Sequence, residues 1–246
     1  MFQRSLLTHL LLPLVLLLAG SGRALGDTYP RARELDVLEY TFRLTLTDES
    51  DSIVGLASID MRWLESGKSS LELDLSSLVQ ASGKGMRVSG VWGRTGLDSQ
   101  PSSAVLFETN EAGEALRFEH VADRLLIHLS EPSAAGQRMY VTIRYSGIPV
   151  SGLEIGETKY GDRCFFSENW PNQARQWMPT IDHPYDKAKC QMIVVAPAHY
   201  QVVSNGLLVE QSDLVGGQRL THWRQSVPIA TWLYTLGVAR FAVQNL

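Results

Sequence analysis

The sequence predicts an all-β fold, an antiparallel β-sandwich, on three observations. Apolar and polar residues alternate with period two almost from end to end, which puts one face of each strand inside. Clusters of Gly, Ser, Pro and Asn interrupt the alternation roughly every 8–15 residues, the spacing of a sandwich or barrel-like sheet. Beyond the first 26 residues no stretch carries a convincing helical period.

Leu38, Tyr40, Phe42, Leu44 and Leu46 mark the inward face of a first strand, and Ile53, Ala57, Ile59, Met61 and Trp63 that of a second. The acidic stretch between them, Asp48, Glu49, Ser50 and Asp51, reads as a solvated hairpin loop and not as a metal site. Shorter strands are expected at 71–75, 87–92, 105–108, 116–120 and 125–129, then a long one carrying Met139, Val141, Ile143 and Tyr145. Residues 152–161 and 167–187 break the rhythm. The second stretch is rich in Trp, Pro, Asn and Asp, and long irregular loops inside a domain are often functional. Alternation resumes at 188–196. Residues 200–204 and 207–210 then predict a hairpin, because Asn205-Gly206 supplies the two positive-φ positions of a type I′ turn. Strands around 220–223 and 232–238 follow, and the apolar ending at 241–246 reads as an interrupted strand. No repeat, low-complexity segment or linker divides 27–246, which is read as one domain.

Arg4, an apolar run at 10–19 and small residues around Ala24 and Gly26 predict a secretory signal peptide over residues 1–26, cut after Gly26 or after Ala24. The run is shorter than the about 20 residues of a membrane span, and Pro13 shortens it further. Secretion to a periplasmic or extracellular space, without stable membrane insertion, is therefore expected; a retained anchor helix is the alternative. Losing Arg4 and Arg23 leaves 20 of the 22 Lys and Arg against 26 Asp and Glu, a net charge of −6. That balance, with no basic cluster, excludes a nucleic-acid partner. The secretory route allows a disulfide between Cys164 and Cys190, expected on neighbouring strands at the base of the 167–187 segment. Two buried free thiols are the alternative, and neither cysteine has the surroundings of an activated thiolate.

The most informative stretch is 168–188. There Arg175, the pair Trp177 and Met178, Pro179, Asp182, Pro184 and Lys187 precede a long strand. Downstream come Ala196-Pro197 with Tyr200, Val203-Ser204-Asn205-Gly206, Trp223, the run PIATWL at 228–233, and Gly237 with Phe241. In this order the motifs resemble the aminopeptidase N and leukotriene hydrolase family of zinc metallopeptidases, the gluzincins. With weaker matches at 40–46 and 55–61, the resemblance covers essentially all of 27–246. It implies a large saddle-shaped antiparallel β-sandwich, the N-terminal domain of that family, which a thermolysin-like catalytic domain and a helical C-terminal domain follow. The family's G-x-M-E-N and H-E-x-x-H segments do not occur here, and Glu119-His120 has the wrong order. The resemblance thus places zinc in the complete enzyme and no cofactor in this chain, which alone is expected to be inactive.

In that family a Gln or Glu of this domain helps hold the free amino group of the substrate. The position falls on Trp170, with Glu168 two residues earlier, so Glu168, Asn169 and Trp170 are the candidate substrate-binding residues. Either Glu168 supplies the carboxylate from a shifted loop, or Trp170 lines an apolar pocket and the amine is held elsewhere. The alternative is that Trp170-Pro171 only caps the sandwich edge. Asp182-His183-Pro184 reads as a turn and not as an acid–base pair, since adjacent residues in an extended turn point apart; Asp182 is expected to pair with Arg175. His120, His128, His199 and His222 lack ligand spacing, and most tryptophans fall in alternating strands as core residues.

The resemblance implies an accessory domain that packs on the catalytic domain of the same polypeptide and closes the cleft around a peptide with a free N-terminus. Specificity would then come from steric exclusion. A stand-alone β-sandwich binding protein or carbohydrate at the cell surface, and a diverged inactive relative, are the alternatives. No G-x-S-x-G, Gly-rich phosphate loop or basic amphipathic stretch points to another chemistry.

Overall fold

In the computed structural model the described residues are 31–96 and 113–244. The leader at 1–26, the strand expected at 105–108 and the last two residues of 241–246 lie outside them. Two long alternating strands, β1 (Leu35–Thr45) and β2 (Ile53–Trp63), pair across the acidic loop with Thr45 opposite Val54. On the β2 side the sheet continues through β8 (Arg138–Ile148), β4 (Gly85–Thr95) and the short β5 (Glu114–Ala115). On the β1 side it continues through β11 (Lys187–Pro197), β14 (Gln218–Ala230) and the edge strand β13 (Leu207–Leu214).

Two smaller sheets face this eight-stranded one. The first has three strands, β3 (Ser70–Asp74), β7 (Arg124–His128) and β6 (Phe118–Val121). The second has four, in the order β12 (Gln201–Ser204), β15 (Leu236–Ala239), β10 (Arg163–Ser167) and β9 (Leu153–Glu157). Tyr40, Phe42 and Leu44 of the large sheet, Leu73 and Ile127 of the three-stranded sheet, and Phe165 and Val238 of the four-stranded sheet belong to one buried cluster. The architecture is the all-β sandwich that the alternation predicts.

Five details differ from the expectation. The large sheet is mixed: β1 and β11 pair in parallel, with Tyr40 opposite Cys190 and Leu44 opposite Val194. A parallel pair requires a long crossover, and here the chain lays down the three-stranded sheet and the first two strands of the four-stranded one before returning to the open edge of β1. In β1 a bulge between Val37 and Glu39 shifts the phase, so Leu35 and Val37 are buried ahead of it and Tyr40, Phe42 and Leu44 after it, while Leu38 is only half-buried.

Asn205-Gly206 does not close a hairpin. β12 belongs to the four-stranded sheet and β13 to the large one, so the dipeptide carries the chain between layers, and only Gly206 has a positive φ, +85°. A Cβ there would lie 2.0 Å from the Arg224 carbonyl oxygen, which makes glycine necessary. Tight turns with two positive-φ residues form elsewhere: at Gly216 and Gly217 between β13 and β14, and at Ala122 (52°) and Asp123 (61°) between β6 and β7. Finally, β9 lies within the stretch 152–161, and the segment expected as a strand at 232–238 opens with a single 3-10 turn, Thr231–Leu233, before β15.

Candidate functional site

The chain between β10 and β11 crosses from the four-stranded sheet to the large sheet with almost no repetitive structure, and polar side chains hold it. Arg175, on the 3-10 turn Ala174–Gln176, sits between two buried carboxylates, Nη1 at 3.2 Å from Asp74 Oδ1 and Nε at 3.2 Å from Asp182 Oδ2. Its Nη2 donates to the Asp182 carbonyl at 2.9 Å and its backbone N–H to Asp182 Oδ2 at 3.1 Å. Asp182 also accepts from the Thr231 hydroxyl at 2.7 Å, and its own N–H donates to Asp74 Oδ2 at 2.9 Å. Burial pushes the Asp182 carboxyl up from the usual carboxylate range, and the bonds from Thr231 and Arg175 oppose it. The expected Arg175–Asp182 pair is thus part of a buried network, in which the Asp182 carboxylate bonds Arg175 and Thr231 while His183 Nδ1 accepts from the Tyr185 N–H at 3.2 Å. The Ile181 N–H donates to the Tyr40 hydroxyl at 2.9 Å, which ties the segment to β1.

The candidate substrate residues stand at the N-terminal end of this segment and divide into two kinds. Asn169 is buried, and its amide is committed: Nδ2 donates to the Tyr234 carbonyl at 2.6 Å and Oδ1 accepts from Trp177 Nε1 at 2.9 Å. Glu168 and Trp170 on either side are exposed, Trp170 at 66%. Glu168 Oε1 accepts from the Trp170 N–H at 3.4 Å, and the Trp170–Pro171 peptide is cis. Asn169 therefore fixes the loop from inside, and the two groups able to meet a ligand are the carboxylate and the indole. Tyr234, which the sequence reading did not single out, supplies the anchoring carbonyl. Its ring packs edge-on against Tyr40 and Phe42, at 6.1 and 6.4 Å between centroids.

The remaining candidates serve structure. His120 Nε2 lies 3.0 Å from the Leu75 carbonyl, His128 Nε2 3.1 Å from Glu119, His199 Nε2 3.5 Å from Asp48 and His222 Nε2 2.8 Å from Gln191 Oε1. In the acidic loop Asp48 accepts from the Tyr200 hydroxyl and Asp51 from Arg163 Nη2 at 2.6 Å, so the loop is exposed but tethered to the neighbouring layer. Cys164 and Cys190 are free and buried, and burial pushes both thiols up. They lie on β10 and β11, which belong to different sheets, not on neighbouring strands, so the disulfide considered from the sequence is not formed here.

Among the described residues no group of three or more His, Cys, Asp or Glu side chains is placed to hold a metal ion, so these residues do not fit a zinc site. Nor, among them, is any helix long and apolar enough to cross a membrane.

Three comparisons bear on this geometry. The family model described as "Peptidase M1 N-terminal domain" matches residues 37–233. No curated protein matches the chain significantly. Among solved structures, an M1 zinc metallopeptidase from Deinococcus radiodurans superposes with a TM-score of 0.65 at 23% identity, over 84% of this chain and 42% of that one. A two-domain M1 zinc metallopeptidase mutant bound to L-tryptophan gives 0.66 at 23%, over 84% and 43%. A mutant of the Deinococcus radiodurans enzyme bound to a Tyr-Ser-Ala substrate gives 0.65 at 22%, over 84% and 43%. At such identity these likenesses establish a shared fold, and the chain spans about two fifths of those proteins' length. The family match runs from within β1 to the 3-10 turn before β15 and so contains the whole Arg175 network and the loop it supports. The chain therefore belongs to the peptidase M1 N-terminal domain family.

Proposed function

We propose that this chain is the N-terminal domain of a secreted zinc aminopeptidase, one domain over 27–246 once residues 1–26 are removed, which packs on the catalytic domain of the same polypeptide and closes the N-terminal end of its peptide cleft. Zinc and the hydrolytic step belong to the catalytic domain, where a metal-bound water would be activated. This chain contributes geometry. The observation that carries the reading is the loop at 168–170, in which a buried Asn169, hydrogen-bonded through both Nδ2 and Oδ1, lies between an exposed carboxylate and an exposed indole. A large aromatic left exposed on a rigid support is suited to covering a partner or a substrate. Supporting it, the solved relatives of this fold include M1 enzymes bound to a free amino acid and to a tripeptide.

In this arrangement Glu168 forms a charge-assisted hydrogen bond with the substrate ammonium, and Trp170 walls the pocket of the first side chain. The test uses the longer polypeptide with short peptide substrates. Glu168→Gln is expected to lower kcat/KM about 10- to 150-fold, the equivalent of roughly 1.5–3 kcal/mol for one charge-assisted bond, and Trp170→Ala to change the preference for the first residue. Unchanged kinetics in both folded variants would make the loop structural. The stand-alone binding module is the outcome if no peptidase domain continues the polypeptide.

A further inference from the structure

The four-stranded sheet carries apolar residues on both faces and is covered by the common core on one. Phe165, Val238 and Val202 point into the common core. On the opposite face Val203, Gly237, Phe166 and the edge residue Glu154 form one cross-strand row, in which Phe166 and Val203 remain 43% and 47% exposed. The Phe166 and Phe241 rings both border Gly237, each 3.8 Å from where a Cβ would stand. The Phe241 ring packs edge-on against Phe166 at 6.0 Å between centroids.

We propose that this outer face, centred on Phe166, Val203 and Phe241, is the surface through which the chain docks on the catalytic domain of the same polypeptide. The proposal rests on the reading in the preceding section and names its contact surface. Two features choose this occupant over a second copy. On leaving β15 at Ala239 the polypeptide turns back over this face, as the Phe241–Phe166 contact shows, so whatever continues the chain starts from the patch. The face also adjoins the substrate loop. β10, which carries Phe166, runs directly into Glu168, and the segment preceding β15 supplies the Tyr234 carbonyl that holds Asn169. A body seated on the sheet thereby comes up against Glu168 and Trp170.

The experiment is heat unfolding by calorimetry of the longer polypeptide and, separately, of the 246-residue chain as it stands, each as wild type and as Phe166→Glu/Val203→Glu. Val203→Glu alone is the milder second variant. Val215→Glu, on the exposed β13–β14 turn, is the control. Docking predicts that wild-type N-terminal domain melts higher in the longer polypeptide than alone, and that the double variant removes this gain, a fall of about 5 °C or more. The single variant should remove part of it, and Val215→Glu none. The proposal is overturned if both patch variants leave the midpoint in the longer polypeptide unchanged, or if the 246-residue chain forms a dimer that they disperse. Loss of the midpoint gain with normal Glu168→Gln and Trp170→Ala kinetics would keep the docking face and discard the cleft role; the reverse pattern would keep the cleft role and discard this face.

Discussion

The crossing segment between β10 and β11 contains two regions of opposite character within 20 residues. From Ala174 to Asp186 the chain is held by buried polar bonds, with Arg175 between Asp74 and Asp182 and the Ile181 N–H on the Tyr40 hydroxyl, and only Thr180 Oγ1 and Asp186 Oδ2 among its buried side-chain atoms lack a partner. From Glu168 to Pro171 only Asn169 turns inward, and the side chains of Glu168 and Trp170 are left in solvent. The contrast shows how an irregular segment is kept rigid without a helix or a ladder: its backbone groups are satisfied by fixed side chains of the surrounding sheets. It also separates roles. Substitutions in the first region should act on stability, and those in the second on recognition.

The sharpest way to break the contrast is Arg175→Met. It leaves the Asp182 carboxylate buried without its cation, whereas Asp74 retains Arg124 Nη1. Removing one partner from a buried ion pair costs about 3–5 kcal/mol. Denaturant unfolding of the chain should show the midpoint falling accordingly at unchanged slope. A loss below about 1 kcal/mol would mean that the network is solvated and the anchoring argument wrong.

Asp186 is the weak point of the buried region. It is 6% exposed, its Oδ2 has no partner, and burial pushes its carboxyl up to about 7. A carboxyl whose folded pKa is raised binds its proton more tightly in the native state than in the unfolded one. Its stabilising contribution is complete below pH about 4 and is lost as pH rises through 7. Asp186→Asn, a near-isostere of the protonated acid, should therefore match the wild type near pH 4 and exceed it by roughly 2–4 kcal/mol at pH 8. A constant difference between the two proteins across that range would show that Asp186 is solvated.

Much of this fold is legible in the sequence because alternation reports burial directly, as in Ile59, Met61 and Trp63 of β2 or Val141 and Ile143 of β8. What escaped depends on contacts between distant segments. Nothing local in β1 or β11 shows that they pair in parallel, and the bulge that exchanges Leu38 for Val37 in the core is visible only once β2 is alongside. Asn205-Gly206 has hairpin chemistry, yet the Asn205 side chain is spent on Leu233 and Thr235 across the layer, with Nδ2 donating to one and Oδ1 accepting from the other. At the candidate site the motif located the loop, and Arg175 with Asp182 were readable as a pair. The inward turn of Asn169 was not, because its partners, Tyr234 and Trp177, are brought together only by the packed sheets.

Asn169→Leu tests the link between the two regions. It leaves the Tyr234 carbonyl and the Trp177 indole N–H buried without their shared partner, a cost of about 2 kcal/mol. In the longer polypeptide it should also lower kcat/KM, because Glu168 and Trp170 lose their support. If stability falls while kinetics hold, the loop does not depend on its anchor.

The smallest expected effect is the most discriminating. Trp170 is 66% exposed, so most of its indole faces solvent. Truncating such a residue forfeits little buried area, and surface substitutions away from caps and networks usually fall within about 0.5 kcal/mol. Trp170→Ala in the 246-residue chain should therefore leave the unfolding midpoint nearly unchanged. A single exposed aromatic is ordinary on a protein surface, so the role of Trp170 is decided by what the longer polypeptide does with it. The same substitution in the longer polypeptide should lower the midpoint of this domain or alter the preference for the first residue of the peptide, since both require the indole to be covered there. A loss of more than about 2 kcal/mol in the 246-residue chain itself would show instead that Trp170-Pro171 closes the sandwich edge. The exposed region would then be structural, and its difference from the Arg175 network one of degree.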